Sequence, residues 1–96
     1  GANGARSHTI AMARDGQDPA AMDRRLAARP AHFARVGQYA DDGTLMIGGA
    51  ILDAPDGRMI GSAAVTRHPT HADAAAFWAE DPYVKSGVWQ DLRYYG

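Results

Sequence analysis

The stretch TLMIGGAILDAPDGRMIGSAAVTR, residues 44–67, constrains the fold more than any other part of the chain. Two apolar runs flank APDG, and Pro-Asp-Gly is a strong turn signal. The runs therefore read as the two strands of a β-hairpin. Both faces are apolar, because Leu45, Ile47 and Ile51 alternate with Met46, Ala50 and Leu52. A bare apolar sheet face of several hundred Å² is unusual on a monomer, so each face needs a cover. Gly48, Gly49 and Gly61 interrupt the runs, and glycine inside a strand marks a bulge or a close approach.

The remaining sequence supplies the partners of this hairpin. SHTIAMAR (7–14) alternates weakly and reads as a first strand. In DGQDPAAMDRRLAA, Asp18 is an N-cap candidate and Pro19 takes the first helical position, with Met22 and Leu26 on one face. Pro30 then breaks the helix, because its ring clashes with the carbonyl of Leu26 and pushes Arg29 towards extended geometry. A second helix restarts at Pro30 with Phe33, Val36 and Ala40 inward, and ends near Asp41-Asp42-Gly43. HPTHADAAAFWAEDP (68–82) is a last helix, with Thr70 and Asp73 as a capping box, Ala74, Phe77 and Trp78 as the apolar face, and Asp81-Pro82 as the stop. VWQDLRYY (88–95) is a final strand, with Val88, Leu92 and Tyr94 on one side and Trp89 and Tyr95 on the other.

The order is β-α(broken)-β-β-α-β, the ferredoxin-like split βαβ arrangement: an α+β fold with a four-stranded antiparallel sheet and helices on one face. The other face is apolar and uncovered, which predicts an isologous homodimer packed sheet to sheet. A length of 96 residues suits a single domain over 7–96, and the Gly/Ala-rich residues 1–6 read as a disordered extension. The chain has no cysteine, so disulfides, thiolate metal sites and cysteine nucleophiles are excluded. A net charge of −1 argues against nucleic acid or an anionic membrane as partner. No run approaches the ~20 apolar residues of a membrane helix, and no signal peptide is visible, so a cytoplasmic protein is expected. Lys85 is the only lysine, a bias of GC-rich bacterial genomes.

Candidate chemistry centres on His32. As third residue of a helix starting at Pro30, it would sit beside unpaired N–H groups and the positive dipole end, which disfavours imidazolium and leaves a neutral base. A carboxylate would fix its tautomer, and Asp81, Asp41 and Asp42 are the candidates. The plainer readings are a surface or capping histidine, a helix-terminating Asp81, and a solvated Asp41-Asp42 loop. Ser62, on the strand face opposite Gly61 and Ala63, suits a ligand contact or packing equally. Arg24, Arg25 and Arg29 form either an anion site or a solvated face with one structural pair. His68 and His71 have i, i+3 spacing but no third metal ligand, so no metal is expected. Trp78, Trp89 and Tyr83 line a pocket or fill the core.

The blocks RRLAARPAHFARV, GTLMIGGA, IGSAAV and AEDPYVKSGVW, in this order, resemble the YCII-related family. The resemblance implies a dimeric α+β barrel akin in architecture to muconolactone isomerase. It also implies a histidine–aspartate active site; one branch of the family eliminates chloride from a chlorinated hydroxyhydroquinone. Carried over, the histidine is His32 in RPAH, the aspartate is Asp81 in DPY, and Ser62 in GS matches a further position. Gly49-Ala50 stands where typical members have Gly-Pro, which places Gly49 at the pocket rim. The expected function is a cofactor-independent lyase or isomerase acting on a small organic acid or phenol. His32 and Asp81 would be catalytic, with Ser62, Arg29 and Gly49 at the ligand. The alternative is a non-catalytic ligand-binding or assembly module on the same fold.

Overall fold

A computed structural model describes residues 8–55 and 57–96, so the extension assigned to residues 1–6 lies outside the described residues. The elements are β1 (Thr9–Asp15), α1 (Ala21–Asp41), β2 (Leu45–Leu52), β3 (Met59–Thr66), α2 (His71–Ala79), α3 (Pro82–Lys85) and β4 (Trp89–Tyr95). The sheet order is β2-β3-β1-β4, with every pair antiparallel. This is the expected α+β fold with a four-stranded antiparallel sheet. The helices lie on one face, where α1 packs on β2 and α3, and α2 packs on β1 and β4.

Register explains which residues enter the core. Ala11 and Ala13 of β1 pair with Ala64 and Ser62 of β3 and with Tyr94 and Leu92 of β4, and these residues face the helices. Small side chains at the sheet centre leave room above them for Trp78, Tyr83 and Trp89. Two irregularities move residues from their expected sides. The register shift between Leu45 and Ile47 puts Leu45 against the core while Ile47 stays 66% exposed on the other face. The shift at Arg14–Asp15 pairs Asp15 with Trp89 and turns Trp89 to the core side, with Leu92 and Tyr94. A bulge adds one residue to one strand and so inverts the alternation beyond it. Gly61 marks a close approach, since a Cβ there would lie 2.2 Å from the Ala13 carbonyl oxygen.

The first helix differs from expectation. It is not broken at Pro30: α1 is continuous over 21 residues with Pro30 inside it. The proline removes one backbone hydrogen bond, but side chains on both sides of it are tied to the rest of the fold. Before it, Arg25 is buried and donates to both Asp15 carboxylate oxygens at 2.9 Å and to Ser62 Oγ at 3.0 Å. After it, His32 and Arg35 both bind Asp81. Tertiary contacts thus override the local helix stop. His32 accordingly lies in mid-helix, and the dipole field of a helix start does not act on it. The helix also starts later than expected, at Ala21. Asp18 does not cap it but pairs with Arg24 at 2.6 and 2.8 Å, which holds its carboxyl down at about 2. Leu26 is exposed, and the buried position of this helix is Arg25. Phe33 and Ala40, expected inward, are exposed, and only Val36 of that trio packs against the core. The last helix matches its reading at the start, where Thr70 Oγ1 accepts the Asp73 N–H at 3.1 Å.

The Asp15–Arg25 pair joins β1 to α1 with both side chains nearly excluded from solvent. Breaking such a pair leaves one charge buried alone. Asp15→Asn is expected to lower unfolding free energy by about 3–5 kcal/mol, read from the urea midpoint. Gly61→Ala, which forces backbone atoms apart, is expected to cost about 1–3 kcal/mol in the same measurement.

Candidate functional site

The α2–α3 corner builds the first half of the site. Pro82 ends any continuation of α2 and occupies the first position of α3, where its missing N–H has no cost. That places Asp81 at the N-cap in extended conformation, and its Oδ2 accepts the Tyr83 N–H at 3.0 Å. Asp81 is fully buried. Its Oδ1 accepts from Arg35 at 3.1 Å, and its Oδ2 lies 2.7 Å from His32 Nδ1. Because Asp81 already accepts from two N–H donors, it acts as a carboxylate acceptor and the imidazole donates from Nδ1. The lone pair is then on Nε2, which has no partner among the described residues.

The second half is aromatic. The His32 ring stacks on Tyr83 with centroids 3.8 Å apart and planes 8° apart. Trp89 meets His32 edge-on at 5.8 Å. The Arg25 guanidinium lies 5.0 Å from the Tyr83 centroid, and Arg29 lies 5.1 Å from that of Phe33. Burial pushes the Tyr83 hydroxyl up from its ordinary range, while Arg25 and Arg29 pull against that shift.

These groups surround a cavity of about 410 Å³ between α1 and the β2–β3 hairpin. His32, Arg29, Ser62 and Gly49 all line it, while Asp81 stands behind His32. Much of the remaining wall is apolar or aromatic: Val36, Leu45, Met46, Met59, Trp78 and Trp89. Gly48 and Gly49 keep the hairpin wall low, and a Cβ on Gly49 would meet nothing within 4 Å.

Each expected residue can now be placed. His32 and Asp81 meet although they are far apart in sequence. Asp42 instead accepts the Thr44 N–H at 2.8 Å, and this bond lowers its carboxyl pKa. Ser62 accepts from Arg25 at 3.0 Å and from the Trp89 indole at 3.2 Å, so its oxygen serves the cavity wall and only its own O–H is left for a ligand. His68 binds Thr66 through Nδ1 at 2.7 Å and packs near Phe77, and His71 opens α2 near Tyr94. Arg35 and Asp15 were missed by sequence reasoning. Arg35 carries a usable signal, since i, i+3 spacing puts it beside His32 on one helix face. Asp15 carries none, because only β1 geometry brings it to Arg25.

Comparison with known proteins agrees with this architecture. The YCII-related domain model matches residues 10–95. Protein YciI of Escherichia coli is 37% identical over 83 residues, covering 79% of this chain and 84% of that protein. Protein YciI of Shigella flexneri gives the same figures. Among solved structures, the 5-chloro-2-hydroxyhydroquinone dehydrochlorinase of Burkholderia phenoliruptrix, in complex with 2,5-dihydroxybenzoquinone, superposes with a TM-score of 0.73 at 21% identity. That match covers 93% of this chain and 91% of the dehydrochlorinase, and it shows that the two share this α+β fold. The chain belongs to the YCII-related domain family.

Proposed function

We propose that this protein is a small-molecule enzyme of lyase or isomerase type, with His32 as general base. The observation that carries this reading is the 2.7 Å His32–Asp81 pair at the wall of the cavity. A base needs a free lone pair facing substrate and a partner that steadies the charge it gains. With Nδ1–H held by Asp81, Nε2 receives the proton, and the buried carboxylate stabilises the imidazolium. The substrate is a small, flat, oxygen-bearing ring. Apolar and aromatic walls suit the ring, and Arg29 favours anionic oxygens. The fold-related dehydrochlorinase binds 2,5-dihydroxybenzoquinone, a ring of this type, which supports the class. The reaction is proton removal from a carbon beside a carbonyl. In an isomerase the proton returns at another carbon; in a lyase a neighbouring leaving group departs. The residues named need no cofactor.

We also propose that the protein works as a homodimer. The sheet face opposite the helices exposes Ile10 (39%), Met12 (42%), Ile47 (66%) and Tyr95 (47%). A second copy packed face to face is the self-complementary cover. Light scattering at micromolar concentration is expected to give twice the chain mass, and Met12→Asp to give a monomer. A wild-type monomer contradicts the dimer.

Two measurements test the enzyme reading. A thermal-shift screen of small carboxylates, phenols and quinones, starting with 2,5-dihydroxybenzoquinone, is expected to show stabilisation. For ligands with an acidic C–H, deuterium exchange from D2O is followed by NMR. His32→Asn keeps a donor near Nδ1 for Asp81 but removes the base, and is expected to slow exchange about 10²–10⁴-fold with the fold intact. Stabilising ligands with no exchange or elimination would favour the binding-module alternative.

A further inference from the structure

Tyr83 is joined to most of the proposed site. Its N–H binds Asp81, one ring face stacks on His32, the Arg25 guanidinium lies near the ring, and Trp89 meets it at 5.5 Å. The residue is 2% exposed, yet its hydroxyl has no hydrogen-bond partner among the described residues. Buried tyrosine hydroxyls ordinarily find one. Among the described residues, the fully enclosed side-chain atoms without partners are Arg24 Nε, Arg25 Nε and Trp78 Nε1, and the Tyr83 hydroxyl is not one of them. The open space beside Tyr83 is the cavity that it lines. Phenylalanine would supply the same stacking, so packing does not account for the hydroxyl.

We infer that the Tyr83 hydroxyl is a ligand-binding group, donating a hydrogen bond to a carbonyl, enolate or phenolate oxygen of the substrate. The inference rests on the enzyme reading above and extends it to a named substrate atom. Burial keeps the hydroxyl protonated and hence a donor. In the proposed step the C–H bond breaks and its proton goes to His32 Nε2. The electron pair passes through the adjacent carbonyl to its oxygen, which becomes an oxyanion. Tyr83 donates to that oxygen without giving up its proton, and Arg29, which also lines the cavity, supplies a favourable field. No co-reactant is required.

The test uses the full chain and 2,5-dihydroxybenzoquinone as probe, with affinity measured by calorimetric titration. Tyr83→Phe retains the ring stack, so its melting temperature is expected to stay close to wild type while affinity falls about tenfold. A wild-type chain that binds, with Tyr83→Phe binding within about twofold of it, overturns the Tyr83 inference and leaves the His32 reading standing. A wild-type chain that does not bind the probe at millimolar concentration overturns both. Should Tyr83→Phe fail to fold, the wild-type protein labelled at tyrosine ¹³Cζ supplies the answer. The Tyr83 resonance is expected to move on adding the quinone, and an unmoved resonance overturns the inference.

Discussion

A carboxylate with no contact to water holds this structure together. Asp81 is fully buried, and removing such a charge from solvent costs several kcal/mol unless donors replace the lost water. Three donors do so: the Tyr83 N–H, Arg35 and His32 Nδ1. They come from two parts of the chain, the α3 start and the middle of α1. The carboxylate therefore fixes how α1 sits on the α2–α3 corner, and in satisfying its own hydrogen bonds it also fixes the imidazole. Arg35 extends the same clamp to α2, donating to the Phe77 carbonyl and lying 4.4 Å from the Phe77 centroid.

A second buried charge pair joins β1 to α1 beside the cavity. Asp15 and Arg25 neutralise each other through Arg25 Nη1, and Arg25 Nη2 donates to Ser62, which also accepts from Trp89. Arg25 then lies near one side of the Tyr83 ring while His32 stacks on it. The Asp15–Arg25 pair and the Asp81 cluster are thereby connected through one aromatic ring. They also hold α1 on both sides of Pro30, which is why a residue that ordinarily stops a helix is carried inside one.

The readable parts of the sequence were those governed by local chemistry. The hairpin followed from apolar alternation around Pro-Asp-Gly, and the start of α2 from Thr70 and Asp73. The β-α-β-β-α-β order followed from these elements and fixed the sheet. Local chemistry failed where distant partners decide. Pro30 looked like a break because Asp15 and Asp81, remote in sequence, are what hold the helix through it. Met22 and Leu26 share one face by spacing, yet Leu26 is exposed and the buried position is the paired Arg25. Bulges at Leu45–Ile47 and Arg14–Asp15 reassigned the strand faces, and alternation alone does not reveal an inserted residue. His32 was singled out for a helix-start field that the fold does not provide. Its partner Asp81 came from the family resemblance in the DPY stretch, and the fold then brought the two side chains into contact.

The family, the cavity and the buried pair all bear on one chemical claim: Asp81 holds the His32 imidazole so that Nε2 is bare towards the cavity. Long-range ¹H–¹⁵N NMR of the imidazole nitrogens tests this most directly, because it distinguishes the two neutral tautomers. The account predicts that the neutral His32 ring carries its proton on Nδ1, with Nε2 showing the shift of an unprotonated nitrogen. A neutral His32 carrying its proton on Nε2 would contradict it, since that ring would have no lone pair to offer a substrate.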